Sequence, residues 1–343
     1  MQLSERITAF VRLGEELKSK KINDLQKIIQ NEHLYNPWFI TPFVQTSIDN
    51  ISLWLEKETL ENFLKKYYYL IENKKIIQNI GIVMAGNIPL VGFHDFLCVL
   101  LAGEKAICKL SSDDKRLLPA IVAILLQIEP RFSSQIHFVE QKISSVDKII
   151  ATGSDVTMSM MATYFANIPT LLRGHRNSIA VLDGNENDTQ LSALTDALFL
   201  YFGMGCRSVS KIYIPHGYDF KRLFQSIDNQ YKTILSQHHK YLNNLEYQKV
   251  VHLIDNQVFL DQGVSIFKED EKLHSPLSVV HYQFYGNKKD LYEQLSAQKD
   301  KIQCMCSNVM PYSEFIAFEN AQQPCLYEFA NEIDTLHFIL NKE

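Results

Sequence analysis

The spacing of apolar positions changes character near residue 76. Before it the chain reads as helices: residues 25–29 and 63–70 set apolar side chains at helical spacing, with Lys and other polar residues between them. The run Tyr67-Tyr68-Tyr69 fits a partly buried helix face. From Ile76 onward, short apolar runs alternate with longer helical stretches. Residues 76–84 predict a buried strand, which Ala85-Gly86-Asn87-Ile88-Pro89 breaks. Residues 90–102 predict a helix that Gly103 closes. Strands are expected at 105–110, 135–139 and 148–152, and helices at 115–128 and 156–166. This alternation indicates a parallel α/β sheet. The second half continues with a strand at 178–182, a turn at Asp183-Gly184, a helix at 190–202 and a strand at 209–214.

Parallel sheets bind ligands at the carboxyl ends of their strands. Those ends carry Gly86-Asn87, Lys109-Leu110-Ser111-Ser112 and Thr152-Gly153-Ser154, so small and polar residues gather on one edge. The dinucleotide fingerprint GxGxxG is absent. In Gly203-Met204-Gly205-Cys206-Arg207-Ser208 a cysteine stands between a Gly-x-Gly elbow and a strand. Two readings stay open: a nucleophile whose thiol pKa Arg207 lowers, or a packed cysteine beside a loop. Cys98 and Cys108 fall inside apolar elements and read as core. Cys304 and Cys306 lack a second pair or a histidine at zinc-site spacing, and Cys325 has no histidine near it. His238-His239 is flanked by polar residues and reads as a solvated helix face. No metal site is expected.

Composition narrows the class. A length of 343 residues suggests two domains, and 46% apolar with 21% charged residues is ordinary for a globular chain. The charge sum of −5 shows no basic excess, which speaks against nucleic acid as a partner. The charge-free run 76–94 is interrupted by Asn79, Asn87 and Pro89, so no membrane span is expected. The first residues carry both charges and lead into no apolar h-region, against a signal peptide. Six scattered cysteines fit reduced thiols and a cytoplasmic location.

Four segments, taken in order, resemble the aldehyde dehydrogenase superfamily. Within it they resemble the acyl-CoA reductase branch, the family of the LuxC fatty-acid reductase subunit of bioluminescent bacteria. Gly86-Asn87-Ile88-Pro89 is similar to the loop that supplies the oxyanion-binding asparagine. Lys109-Leu110-Ser111-Ser112 is similar to the lysine-containing cofactor strand end. Thr152-Gly153-Ser154 is similar to the segment where a helix N-terminus meets the cofactor pyrophosphate, and Gly205-Cys206 to the nucleophilic cysteine. Ser275-Pro276-Leu277, Gln322-Gln323-Pro324-Cys325-Leu326-Tyr327 and Asp334-Thr335-Leu336 add a weaker likeness. The resemblance covers roughly residues 76–340.

The resemblance implies an α/β, aldehyde-dehydrogenase-like fold: a Rossmann-type cofactor domain plus a second α/β catalytic domain, with a helical N-terminal segment. The expected division is 1–180 for the N-terminal helices and cofactor domain, 181–325 for the catalytic cysteine domain, and 326–343 for a segment packing back on the cofactor domain. It implies Cys206 as nucleophile, Asn87 as oxyanion donor, and a cofactor site drawn from Lys109, Ser111, Ser112, Thr152, Gly153, Ser154 and Gly174. Acid-forming members carry Glu-Leu-Gly-Gly-Lys, whose glutamate activates the hydrolytic water. Here the run is Leu172-Arg173-Gly174-His175-Arg176, and Leu172 stands at the glutamate position, 34 residues before Cys206. A leucine cannot act as a base. The expected reaction is therefore NADPH-dependent reduction of an acyl-CoA, or another acyl thioester, to an aldehyde through an acyl-cysteine.

NADPH is expected over NADH, which remains an option, because Ser112 stands where NAD-preferring members place a glutamate. Lys115 and Arg116 would add positive charge there, whereas Asp113 or Asp114 turned inward could take the glutamate's place. Thr157 departs from the glycine-like position of the pyrophosphate segment. No residue securely matches the glutamate that holds the nicotinamide ribose; Glu269 and Glu271 only neighbour that position. The alternatives are an acid-forming NAD(P)-dependent aldehyde dehydrogenase and a non-catalytic cofactor-binding subunit. Expected partners are acyl-CoA or an acyl donor protein, further copies of the chain in a homo-oligomer, and an acyl-synthetase.

Overall fold

The computed structural model describes residues 1–74 and 76–341. The chain divides into two compact units, residues 1–175 together with those from 325 onward, and residues 176–324.

The first unit opens with five helices: α1 (Leu3–Ser19), α2 (Asn23–Asn31), α3 (Thr41–Trp54), α4 (Lys57–Leu64) and α5 (Tyr68–Glu72). Phe10, Leu13 and Leu17 recur on one buried face of α1, as helical periodicity requires. The expected helix over 63–70 is two pieces. Tyr67 lies in the break, buried, and donates its hydroxyl to Asp334 at 2.5 Å, while Tyr68 and Tyr69 are exposed. The three tyrosines thus do not share a face.

The sheet follows: β1 (Asn79–Val83), α6 (Phe93–Leu101), β2 (Lys105–Lys109), α7 (Leu117–Ile128), β3 (Ile136–Phe138), β4 (Lys148–Thr152), α8 (Asp155–Tyr164) and β5 (Thr170–Arg173). Its order is β3-β2-β1-β4-β5, and every pairing is parallel. The chain moves outward from β1 to β3 and then returns to the other side of β1. A reversal of this kind opens a crevice at the carboxyl ends of the two strands that flank it, here β1 and β4.

β1 starts at Asn79 rather than Ile76 because Asn79 pairs with Lys105, the first residue of β2. Ile76 and Ile77 precede any ladder partner and are exposed. α6 starts at Phe93 rather than Leu90 because Leu90 is left-handed (φ +60°). Its end is as expected. Gly103 is also left-handed (φ +75°), and the N–H groups of Gly103 and Glu104 return to the carbonyls of Leu100 and Val99. These are the paired bonds of a glycine-closed helix end.

The terminal helix, Thr335–Leu340, belongs to the first unit. Leu336 and Ile339 are buried in the same core as α1, α6 and α7. The buried Lys148 ammonium donates to the carbonyls of Phe338 (2.7 Å), Ile339 (3.1 Å) and Asn341, and so satisfies the open end of that helix.

The second unit contains β6 (Asn177–Val181), α9 (Asp188–Phe199), β7 (Val209–Pro215), α10 (Lys221–Gln230), α11 (Lys232–Gln237), α12 (His239–Ile254), β8 (Leu260–Asp261), β9 (Ile266–Glu269), β10 (Val279–Tyr285), α13 (Lys288–Ser296), β11 (Ile302–Cys306) and β12 (Phe315–Ile316). The strand order is β12-β11-β6-β7-β10-β9-β8, parallel except for the β8–β9 pair. α9 begins with a reciprocal cap between Asn187 and Gln190. It ends at Phe199 rather than Phe202, because Tyr201 and Phe202 are left-handed (φ +54° and +56°). Among the described residues no helix is long and apolar enough to cross a membrane.

Candidate active site

In the first unit the carboxyl ends of β1, β2, β4 and β5 lie on one edge of a parallel sheet. They carry Gly86-Asn87, Lys109-Leu110-Ser111-Ser112, Thr152-Gly153-Ser154 and Gly174 respectively. The loops after β1 and β2 touch. A Cβ on Gly86 would lie 2.5 Å from Ser111 Oγ and 3.1 Å from Asp113 Cβ, so only glycine permits this approach. Met84 N–H donates to the Lys109 carbonyl at 3.0 Å, which extends the pairing beyond the strands. Asn87 and Ser112 are exposed, and Lys109 and Ser111 half-buried.

The loop from Gly86 to Leu90 is held from below. Ser47 Oγ donates to the Pro89 carbonyl at 2.8 Å, and Leu90 N–H donates to Asp114 Oδ2 at 2.8 Å. Left-handed backbone costs a leucine about 1–2 kcal/mol, which these contacts offset. Asp114 does turn inward, as the alternative for NADH required. It is buried and accepts the Leu90 N–H, whereas Ser112 is exposed. Arg116 also departs from its expected use. Its guanidinium pairs with Glu32 at 3.5 Å and lies 3.8 Å from the centre of the Tyr35 ring, among the N-terminal helices.

At the next strand end, Gly153 N–H donates to the Arg173 carbonyl at 3.2 Å. Ser154 Oγ caps α8 by accepting the Thr157 N–H at 3.2 Å. Asp155 Oδ1 accepts the His175 N–H at 2.9 Å, and a Cβ on Gly174 would fall 2.4 Å from that oxygen. Leu172 pairs in register with Ala151 and packs against the apolar cluster of Ile143, Ile149 and Met158.

Cys206 belongs to the second unit. It is a thiol of intermediate exposure, whereas Cys98, Cys108, Cys304 and Cys306 are buried. The loop that presents it begins with three successive left-handed residues, Tyr201, Phe202 and Gly203. Phe202 is buried against the rings of His238 and Tyr241, with centroids 4.3 and 5.8 Å away. That packing holds a backbone shape two of the three residues would otherwise avoid. Downstream, Ser178 Oγ donates to the Cys206 carbonyl at 2.8 Å, and Ser208 Oγ accepts the Gly205 N–H at 3.2 Å. The Arg207 guanidinium donates to the carbonyls of Ala321 (2.6 Å) and Asn320 (3.2 Å).

The acyl-CoA reductase (LuxC) family model matches residues 13–320. The chain belongs to that family. As a member it is an oxidoreductase acting on aldehyde or acyl groups. Comparison with curated proteins gives no sequence match. Solved structures of aldehyde dehydrogenases share its fold at low identity. Aldehyde dehydrogenase 21 from Physcomitrella patens, with the product succinate, has a TM-score of 0.61 and 12% identity over 90% of this chain and 73% of its own. An indole-3-acetaldehyde dehydrogenase complexed with NAD⁺ has a TM-score of 0.64 and 10% identity over 94% and 75%. An oxidoreductase from Marinobacter aquaeolei has a TM-score of 0.66 and 10% identity over 90% and 73%.

This acyl-CoA reductase family member also carries residues that sequence reasoning passed over. Arg173, beside Leu172, is buried and forks onto Asp95 at 2.6 and 2.7 Å, with Thr335 Oγ1 a further acceptor at 2.6 Å. Burial alone would raise the Asp95 pKa, but the Arg173 guanidinium and the neighbouring His94 together outweigh it and hold the carboxyl at about 2. The available signal was the polar pair His94-Asp95 at the start of the otherwise apolar α6. Glu269 closes β9 and is exposed, and the Glu271 carbonyl accepts the buried Lys211 ammonium at 2.7 Å. His238 caps α12, its Nδ1 accepting the Tyr241 N–H at 3.1 Å. Among the described residues no three His, Cys, Asp or Glu side chains gather as a metal site would require.

Proposed function

We propose that this protein reduces an acyl thioester such as an acyl-CoA to the aldehyde, through an acyl-cysteine at Cys206, with NADPH as reductant. The observation that carries the reading is Leu172. The position from which acid-forming relatives activate water is filled by an apolar side chain packed against apolar neighbours. No carboxylate there turns an acyl-cysteine toward hydrolysis.

The first unit supplies features that suit a dinucleotide. Gly153, small and followed by the capped N-terminus of α8, leaves backbone N–H groups near the crevice, and N–H groups at a helix start favour a phosphate. The Cβ position on Gly153 has nothing nearer than 3.3 Å. Lys109, Ser111, Ser112, Thr152, Ser154 and Gly174 line the same strand ends and would hold the cofactor. Ser112 is small, neutral and exposed, so that position places no carboxylate where it would repel a 2′-phosphate. A reduced nicotinamide held there would supply the hydride.

The Cys206 sulfur attacks the thioester carbonyl and forms a carbon–sulfur bond. The resulting oxyanion is assigned to the Asn87 amide and the Cys206 backbone N–H. Collapse expels the CoA thiolate and leaves the acyl on Cys206. A thioester suits this role because its carbonyl stays electrophilic. After reduction the carbon–sulfur bond breaks, the aldehyde departs and Cys206 returns as thiolate. The test pairs two assays. NADPH consumption with a panel of acyl-CoAs should exceed NADP⁺ reduction with free aldehydes and water, and Cys206→Ala should take up no label from radiolabelled acyl-CoA. Full labelling of Cys206→Ala would refute the reading.

A further inference from the structure

Asp114 is an enclosed carboxylate that joins the two loops at the carboxyl edge of the first sheet. Its side chain is 6% exposed, its Oδ2 accepts the Leu90 N–H, and its Oδ1 has no hydrogen-bond partner. Leu90 is the left-handed residue that ends the loop carrying Asn87, three positions upstream. The Asp114 side is itself anchored, since Asn36 Nδ2 donates to the Asp113 carbonyl at 3.1 Å. Gly86 at the other end of the loop is pressed against Ser111 and Asp113. The Asn87 loop is therefore clamped at both ends by one neighbouring segment, residues 111–114.

We propose that Asp114 is a positioning residue: acting through Leu90, it fixes the stance of the Asn87 amide, and it does so most strongly as the carboxylate. This rests on the reading of Asn87 as oxyanion donor. The groups that face Asp114 decide when it ionises. Burial, reinforced by the like charge of Glu32 from the turn Glu32–Leu34, pushes its pKa up to about 7. Arg116 offsets Glu32 by pairing with it at 3.5 Å. The Leu90 and Leu117 backbone N–H groups work in the opposite direction and favour the ion. Asp113 and Lys115 flank it and are exposed. Above neutral pH the Leu90 bond is charge-assisted, and below it the bond is between neutral groups; charge-assisted bonds are roughly twice as strong.

The test uses Asp114→Asn, which can still accept the Leu90 N–H but cannot ionise. The rate of Cys206 acylation is measured from pH 5.5 to 8.5 in wild type and variant. The wild-type to variant ratio should stay near one below pH 6 and rise through about pH 7 to roughly fivefold. In an Asn87→Ala background the same substitution should leave the ratio flat. A flat ratio in the wild-type background, or an equal rise without Asn87, would overturn the proposal. Hydrogen–deuterium exchange over residues 86–93 reads the clamp without any turnover. At pH 8 Asp114→Asn should exchange faster than wild type, with no difference at pH 5.5. Equal exchange at both pH values counts against Asp114 even if acylation is never seen. Absent acylation with the exchange difference present counts against the acyl-cysteine reading of Cys206 and leaves the clamp standing.

Discussion

The Asp155 carboxylate reaches from the first turn of α8 to the His175 N–H, 2.9 Å away, through the space a side chain on Gly174 would fill. The two residues exclude each other's alternatives. Gly174→Ala should push the carboxylate aside and cost one hydrogen bond, about 1 kcal/mol or a melting temperature lower by about 2–4 °C. In an Asp155→Ser background the same substitution should cost little. Additive losses in that double-mutant cycle would show that the two residues are not coupled.

Asp155 also places a negative charge at the helix start assigned to the cofactor pyrophosphate. Asp155→Asn removes it and preserves the shape. Affinity for NADPH, followed by fluorescence titration, should rise about threefold at low salt, and the gain should shrink as salt screens the charge. Weaker binding by Asp155→Asn would mean that the carboxylate serves the cofactor through its His175 bond instead.

The packing of Leu172 predicts a long-lived acyl-enzyme. Without NADPH, acyl-Cys206 isolated by gel filtration should lose its acyl group far more slowly than NADPH-driven turnover. Release of free acid at the turnover rate would point to another base, with exposed His175 the first to examine. Leu172→Glu places a carboxylate against Ile149 and Met158, so it should lower stability by roughly 1–3 kcal/mol while speeding acid formation.

Cofactor choice is tested at Ser112. The wild type should favour NADPH in kcat/KM, and Ser112→Glu should shift preference toward NADH by repelling the 2′-phosphate. Asp114 is buried with its Oδ2 on the Leu90 N–H, which makes it a poorer counterpart of that glutamate than an exposed carboxylate. Asp113 remains exposed beside Ser112, and a wild type that strongly prefers NADH would assign it the glutamate's part.

The Asp95–Arg173 pair sets an acid limit on stability. The folded Asp95 pKa is depressed to about 2 from its ordinary 3.8. The pair's contribution is therefore complete above about pH 4 and is lost as pH falls toward 2. Thermal melts of wild type should drop through that window, and those of Asp95→Asn should drop less. Arg173→Ala leaves the buried carboxylate with His94 as its remaining cationic neighbour and should cost about 3 kcal/mol at neutral pH. A loss under 1 kcal/mol would mean that His94 or water compensates Asp95 in the absence of Arg173.

Much of the first sheet could be read from the chain because its strands are short apolar runs punctuated by glycine. Lys148–Thr152 and the Gly103 helix end came out as the residues suggested. What stayed hidden depended on long-range partners. Leu90 looks like a helix residue until the Asp114 carboxylate, distant in sequence, captures its N–H. Phe202 looks like the last turn of α9 until His238 and Tyr241 provide a place for its ring. Arg207 reads only as a neighbour of the thiol until the fold shows that it also donates to the carbonyls of Asn320 and Ala321. The family resemblance identified candidate residues but not these supports, which arise from packing between segments far apart in the chain.

The Lys148 ammonium and the Arg173 guanidinium are buried against the terminal helix and Thr335, yet the whole second unit lies between them in the chain. On the ribosome, both cations emerge more than 150 residues before the carbonyls and the hydroxyl that accept from them. The first unit to be synthesised is thus the last that can be completed, and residues 176–324 are available to fold as a continuous segment in the meantime. An interruption of translation after residue 324 would leave two buried positive charges without their carbonyl and hydroxyl acceptors. That is an incomplete chain of the kind that quality-control proteases recognise by its exposed, unfinished core.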